Sequence, residues 1–240
     1  FDKLFVILPF EKDFFEVKHH FKVDFVGHPL IDAIHNREKT TESTFRKENN
    51  LDDKPIIAIL PGSRKQEISK MLSVMLSIVD DFSDYQFVIA GAPSQDYHFY
   101  EQFLTNKNVK FISNKTYDLL RNATAALVTS GTATLETALF KVPEVVCYKG
   151  SWASYQIAKR IITLKYISLV NLIMDEEVVT ELIQDKFNSK NLKEELSKLL
   201  EENHRKALLK KYDDLESKLG GVGASEKTAK IIVKVLKNLV

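Results

Sequence analysis

Five short apolar runs, each followed by a helix-like pattern, constrain this chain more than any other feature. The first is Ile56-Ile57-Ala58-Ile59-Leu60, ended by Pro61-Gly62; the others lie at 87–90, closed by Gly91, and at 109–112, 125–128 and 145–148. Behind the first run, Ile68, Met71, Leu72, Met75, Leu76 and Val79 recur at three and four, the spacing of an amphipathic helix. Helices are expected behind the other four at 95–104, 117–122, 132–140 and 152–164. Strand–helix units in series build a parallel sheet covered by helices, and near-continuous apolar strands suit a sheet buried on both faces. The expected fold class is α/β, with a Rossmann-like parallel sheet and helices on both faces.

Punctuation divides the chain. All six prolines lie in the first 143 residues, and the remainder is free of this helix breaker. That remainder reads as helices only, at about 175–184, 189–201, 203–218 and 224–239, with Gly220-Gly221-Val222-Gly223 separating the last two. From Lys186 onward 13 Lys/Arg stand against 8 Asp/Glu, the mix of solvated helix faces.

Composition removes several function classes. At 44% hydrophobic and 28% charged, the 240 residues can bury a sizeable core. A net charge of +1 does not make the basic surface that nucleic-acid binding needs. The single cysteine, Cys147, allows neither a disulfide framework nor a zinc cluster of several thiolates. No apolar run approaches the roughly 18 residues of a membrane span, and no signal peptide opens the chain. A cytoplasmic protein is expected. Phe1 leads directly into an apolar run and no methionine precedes Met71, which reads as a piece of a longer protein.

In open α/β sheets ligands sit at the carboxyl ends of the strands, where loops enter helices. Two such loops are unusual. In Leu60-Pro61-Gly62-Ser63-Arg64, Gly62 permits a tight turn, Ser63 can cap a helix, and Arg64 sets a cation beside its N-terminus. Amides, helix dipole and guanidinium together make an anion site, although a plain capped turn has the same composition. In Thr129-Ser130-Gly131-Thr132-Ala133-Thr134-Leu135-Glu136, four hydroxyls and a glycine crowd a helix start. A diphosphate can sit on the N-terminal amides and hydroxyls, and Glu136, one turn beyond Thr132, can accept from the two hydroxyls of a ribose. A Thr/Ser cap followed by a surface glutamate is the ordinary alternative. Together the loops describe a nucleotide-diphosphate site better than either does alone.

The stretch 145–174 contains no Asp or Glu, but carries Lys149, Lys159, Arg160 and Lys165 among Trp152, Tyr155 and Tyr166. Such a basic, aromatic helix can lie on anionic lipid or meet a phosphorylated amphiphile; it can equally pack on the sheet with its cations outward. No G-x-G-x-x-G and no G-x-x-x-x-G-K-[ST] occurs. Ser130 is not in a G-x-S-x-G elbow, and the adjacent His19 and His20 would point apart, so no metal site is expected.

At these loops the chain resembles the lipid-A-disaccharide synthase family. The resemblance rests on Leu8-Pro9-Phe10-Glu11, Phe25-Val26-Gly27-His28-Pro29-Leu30-Ile31-Asp32, Leu60-Pro61-Gly62-Ser63-Arg64 with Glu67, and Ser130-Gly131-Thr132-Ala133-Thr134-Leu135-Glu136. It continues through 143–149, Ala158-Lys159-Arg160 and Tyr166-Ile167-Ser168-Leu169-Val170-Asn171-Leu172, and so covers nearly the whole chain.

The resemblance implies the C-terminal, donor-binding half of a GT-B glycosyltransferase. It implies inverting transfer of diacylglucosamine from its UDP donor to diacylglucosamine 1-phosphate, with no cofactor and no metal. Arg64 would then stabilise departing UDP, Gly62 and Ser63 with Ser130, Gly131 and Thr132 would surround the diphosphate, and Glu136 would hold the ribose. Asn171 would stand near the donor, although Val170 replaces the proline common before it. Lys149, Lys159 and Arg160 would meet lipid or phosphate, with peripheral contact at the inner membrane. Implied domains are residues 1–26 from the acceptor domain, a linker at 27–45, the donor domain at 46–222 and a last helix at 223–240. The general base would belong to the acceptor domain, so this chain alone would bind UDP without turnover. The C-terminal helices would pair two copies. Another GT-B UDP-sugar transferase, an epimerase, or a non-catalytic nucleotide-binding or oligomerisation module would share much of this pattern.

Overall fold

A computed structural model describes residues 3–104, 108–150 and 165–237. The chain forms two compact units, one of residues 39–209 and one of residues 1–38 with 210–240. Residues 210–222 fall in the second of these units.

The larger unit is built on a six-stranded, wholly parallel sheet. Its strands are β3 (Ile56–Leu60), β4 (Gln86–Gly91), β5 (Val109–Ser113), β6 (Ala123–Thr129), β7 (Glu144–Tyr148) and β8 (Glu181–Ile183), in the spatial order β5-β4-β3-β6-β7-β8. The chain therefore winds outward from β3 through β4 and β5, then returns to the other side of β3 for β6. The register pairs Ile57 with Ala125 and Leu60 with Val128. Side chains alternate across a strand, so Ile56, Ala58 and Leu60 share one face. They pack there with Val88, Ala90, Ala126 and Val128, and with Leu119 and Leu120 of α6 (Thr116–Asn122). Ile57, Ile59, Phe87 and Ile89 are equally buried on the opposite face. Burial on both faces is why these strands read as unbroken apolar runs.

The helices that follow the strands are α4 (Lys65–Met75), α5 (Tyr97–Leu104), α6 and α7 (Thr132–Leu139). Between β7 and β8 comes α8 (Leu169–Met174), and after β8 comes α9 (Ser189–Leu200). In α4 the expected apolar stripe is buried as Ile68, Met71, Leu72 and Met75, and a 3₁₀ segment, Leu76–Asp81, continues it. The helix expected at 152–164 lies outside the described residues.

The helix expected at 175–184 is a correction. Asp175 adopts a left-handed φ of 55° that ends α8, and Glu181–Ile183 extends as the sheet's edge strand. Val178, Val179 and Thr180, just before it, are β-branched and disfavour a helix, and Glu181–Ile183 pairs with Val146–Tyr148.

The smaller unit contains a two-stranded parallel pair, β1 (Phe5–Val6) and β2 (Asp24–Phe25). Its helices are α1 (Pro9–Asp13), α2 (Pro29–His35) and α11 (Ala224–Lys237); α3 (Glu42–Glu48) belongs to the larger unit, and α10 (Glu202–Lys218) runs through the chain position where the two divide. The His28 ring caps α2 by accepting the Leu30 N–H at 3.2 Å, and burial lowers its basicity. Asp32 of α2 accepts the amides of Gly223 and Ser225, at 2.6 and 2.9 Å, where α11 begins.

Candidate nucleotide site

The reversal of winding between β3 and β6 is a topological switch point, where loops leaving adjacent strands diverge and open a crevice. A cleft of about 530 Å³ lies there. Gly62, Ser63 and Arg64 line it from the loop after β3, Gly91 to Pro93 from that after β4, and Thr116 from the start of α6. Ser130, Gly131, Thr132 and Glu136 line it from the loop after β6 and the first turns of α7. The two motif loops, 68 residues apart from Gly62 to Ser130 in sequence, thus face one cavity.

The β3 loop is held by its own helix. Gly62 has a φ of 101°, and a Cβ there would lie 2.2 Å from Glu67 Oε2. Glu67 uses that closeness to accept the Ser63 N–H at 3.1 Å. One amide at the start of α4 is thereby already satisfied by an acidic side chain. Arg64, at the N-cap of α4, makes no ion pair among the described residues and is exposed to the cleft.

The β6 loop is held from below. The Ser130 N–H reaches Cys147 O at 3.1 Å, and its hydroxyl donates to Ile167 O at 3.0 Å. Thr134 closes the first turn through its amide and hydroxyl, both donating to Gly131 O. Thr132 is exposed at the helix start, and the amides of Thr132 and Ala133, ahead of the bonded Thr134, have no carbonyl one turn back to bond. Those amides and the Arg64 guanidinium make the cleft attractive to an oxyanion.

Glu136 presents one carboxylate oxygen, Oε1, to the Tyr117 hydroxyl at 2.7 Å. Tyr117 in turn packs on Phe140, ring centroids 5.1 Å apart. Sequence reasoning missed Tyr117. The available signal was its place at the start of the helix after β5, since loops on that edge of the sheet converge.

Asn171 occupies a different place from the one expected. It is fully buried, and both of its amide atoms are engaged: Nδ2 donates to Val179 O and Glu181, and Oδ1 accepts the amides of Val178 and Val179. It does not line the cleft. The asparagine satisfies a buried turn, a role that its polarity fits as well as contact with a ligand. Lys149 is exposed and lines a smaller recess of about 340 Å³ with Arg64, Lys70 and Tyr148. Lys159 and Arg160 lie outside the described residues.

A family model described as lipid-A-disaccharide synthetase matches residues 1–235. A lipid-A-disaccharide synthase of Idiomarina loihiensis is 35% identical over 98% of this chain, and one of Syntrophus aciditrophicus is 36% identical over 98%. The chain spans 63% of the length of each of these curated relatives. Among solved structures, a UDP-GlcNAc 2-epimerase from Neisseria meningitidis bound to UDP-GlcNAc superposes with a TM-score of 0.67, at 16% identity over 97% of this chain and 60% of that one. A co-structure of S. aureus MnaA with UDP superposes at 0.64, with 17% identity over 100% of this chain and 60% of that one. At such identities the likeness is one of fold. Among the described residues, no helix is long and apolar enough to cross a membrane.

Proposed function

The chain belongs to the lipid-A-disaccharide synthetase family, and from that premise we propose that it is the donor-binding part of an inverting glycosyltransferase. The donor is UDP-2,3-diacylglucosamine and the acceptor 2,3-diacylglucosamine 1-phosphate. The bond from the anomeric carbon to the diphosphate breaks as the acceptor hydroxyl attacks from the opposite face. UDP leaves with the bonding pair, the hydroxyl proton passes to a base, and the β-linked disaccharide 1-phosphate forms.

One observation carries this reading: the loops after β3 and β6 line a single cleft at the switch point. Charge grows on the diphosphate as the bond breaks, so groups aimed there lower the barrier. Arg64 and the first amides of α7 supply that stabilisation, and Gly131 and Thr132 bring the backbone close. Glu136, one turn deeper, takes the ribose hydroxyls. The two cleft carboxylates are committed elsewhere, Glu67 to the Ser63 amide and Glu136 to Tyr117, so neither is assigned as the base. Lys149, beside Arg64 in the adjoining recess, meets the phosphate of the lipid acceptor or of the membrane surface that presents it. Pairing of two copies through the C-terminal helices completes the reading; Ile232, Val233 and Leu236 are exposed on α11. A monomer at every concentration in sedimentation would remove that last element.

Calorimetric titration of UDP tests the central claim. Saturable binding by the chain, weakened in Arg64→Ala and in Glu136→Ala, is expected, without disaccharide formation by the chain alone. A folded chain that binds no UDP overturns the assignment of the cleft.

A further inference from the structure

A hydrogen-bonded strap runs from the edge strand β8 to the cleft. The Glu181 carboxylate accepts the Ile167 N–H at 2.9 Å, the Ser168 N–H at 2.9 Å and Asn171 Nδ2 at 2.9 Å. Asn171 holds the other side of the same turn through Val178 and Val179, both at under 3 Å from its Oδ1. Ile167, gripped by its N–H, offers its carbonyl to the Ser130 hydroxyl at 3.0 Å. We propose that Glu181 is a positioning residue of the nucleotide cleft, acting through Ile167 on Ser130; the inference rests on the cleft being the UDP site.

The chemistry of each link supports this. An ionised acceptor makes hydrogen bonds roughly twice as strong as neutral ones, so three N–H groups converging on one carboxylate fix the backbone at 167–168. Ser130 spends its only hydroxyl proton on the Ile167 carbonyl, and so offers the cleft lone pairs rather than a donor. Its contribution is to anchor the loop. The donors aimed into the cleft are then Arg64, carried by the separate β3 loop, and the open amides of α7, whose positions depend on where Ser130 holds the start of that helix. Asn171 belongs to the same strap, which gives a buried asparagine outside the cleft an influence on it.

Two measurements on the whole chain test the proposal. In Glu181→Gln, hydrogen exchange at the amides of Ser130 and Thr134 is expected to quicken roughly tenfold, the scale of one lost charged hydrogen bond, while β3 and β4 keep their protection. Unchanged exchange at Ser130 and Thr134 would overturn it, whatever the chain binds. In calorimetry, Glu181→Gln is expected to weaken UDP roughly tenfold alone and by less than about twofold in a Ser130→Ala background, because the two act in series. An equal loss in both backgrounds would overturn action through Ser130. If the unaltered chain binds no UDP, the nucleotide reading fails and the exchange result still decides the strap. If Glu181→Gln does not fold, Ser130→Ala cuts the same link from the cleft side. Faster exchange at Thr134 is then expected, and its absence overturns the proposal.

Discussion

The Tyr117 hydroxyl donates to Glu136 Oε1 at 2.7 Å, joining the helix after β5 to the helix after β6 beside the cleft that Glu136 lines. This bond engages one carboxylate oxygen of a residue that lines the cleft. Tyr117→Phe keeps the packing on Phe140 and deletes only that donor. UDP affinity is expected to fall by roughly five- to tenfold, the worth of about 1 kcal/mol for one hydrogen bond. The loss should be smaller for the 2′-deoxy nucleotide, which asks less of the carboxylate. Titration of both nucleotides reads the effect, and equal affinities for variant and parent would remove Tyr117 from the site.

Gly62 and Glu67 are coupled by space. A Cβ at residue 62 would meet Glu67 Oε2 at 2.2 Å and Cδ at 2.6 Å, and the φ of 101° is itself costly for any other residue. Gly62→Ala is expected to destabilise the chain by about 1–2 kcal/mol from backbone strain. It also displaces the carboxylate that satisfies the Ser63 amide. Urea denaturation measures the first effect and UDP titration the second. Glu67→Gln keeps the backbone free of strain, so a comparable loss of stability there would refute the backbone explanation.

Much of the larger unit was legible because each strand is buried on both faces. Ile56–Leu60 needed no inference beyond its own apolar run, and the strand ends at Gly62 and Gly91 were marked by glycine. The segment 175–184 was not legible. Its acidic start, Asp175-Glu176-Glu177, looks like a helix's first turn, and only pairing with β7 reveals a three-residue edge strand. The motif loops were legible as anion-binding sequence, but the partners of their side chains were not. That Ser130 donates to Ile167 depends on a return of the chain 37 residues after Ser130. Local spacing carries no trace of such a contact.

Asp32 caps a helix far along the chain. Its carboxylate takes the Gly223 and Ser225 amides at the start of α11, and these backbone hydrogen bonds hold its pKa below the usual carboxylate range. A lowered folded pKa contributes stability above the unfolded value, near 3.9, that is lost as pH falls through the still lower folded one. Asp32→Ala is expected to cost about 1–2 kcal/mol at neutral pH, the scale of a lost N-cap. The difference from the parent should narrow toward pH 3. Urea midpoints at the two pH values check this, and a gap that ignores pH would mean the carboxylate charge is irrelevant.

Glu144 has the opposite sign. It opens β7 fully buried, neither carboxyl oxygen has a hydrogen-bond partner among the described residues, and burial pushes its pKa well above the usual range. Burial raises the Cys147 thiol on the same strand as well. In the unfolded chain an ordinary glutamate ionises near pH 4.3, while the folded chain keeps its proton. Above that pH the unfolded state binds fewer protons, so stability falls by up to about 1.4 kcal/mol per pH unit until the folded pKa is reached. Glu144→Met fills a similar volume with nothing to ionise. It is expected to be more stable than the parent at pH 7, by a margin that grows steadily from pH 5. Urea midpoints of both proteins across that interval measure the margin. A constant margin would show that residue 144 is ionised in the fold, and would require a buried partner for its charge.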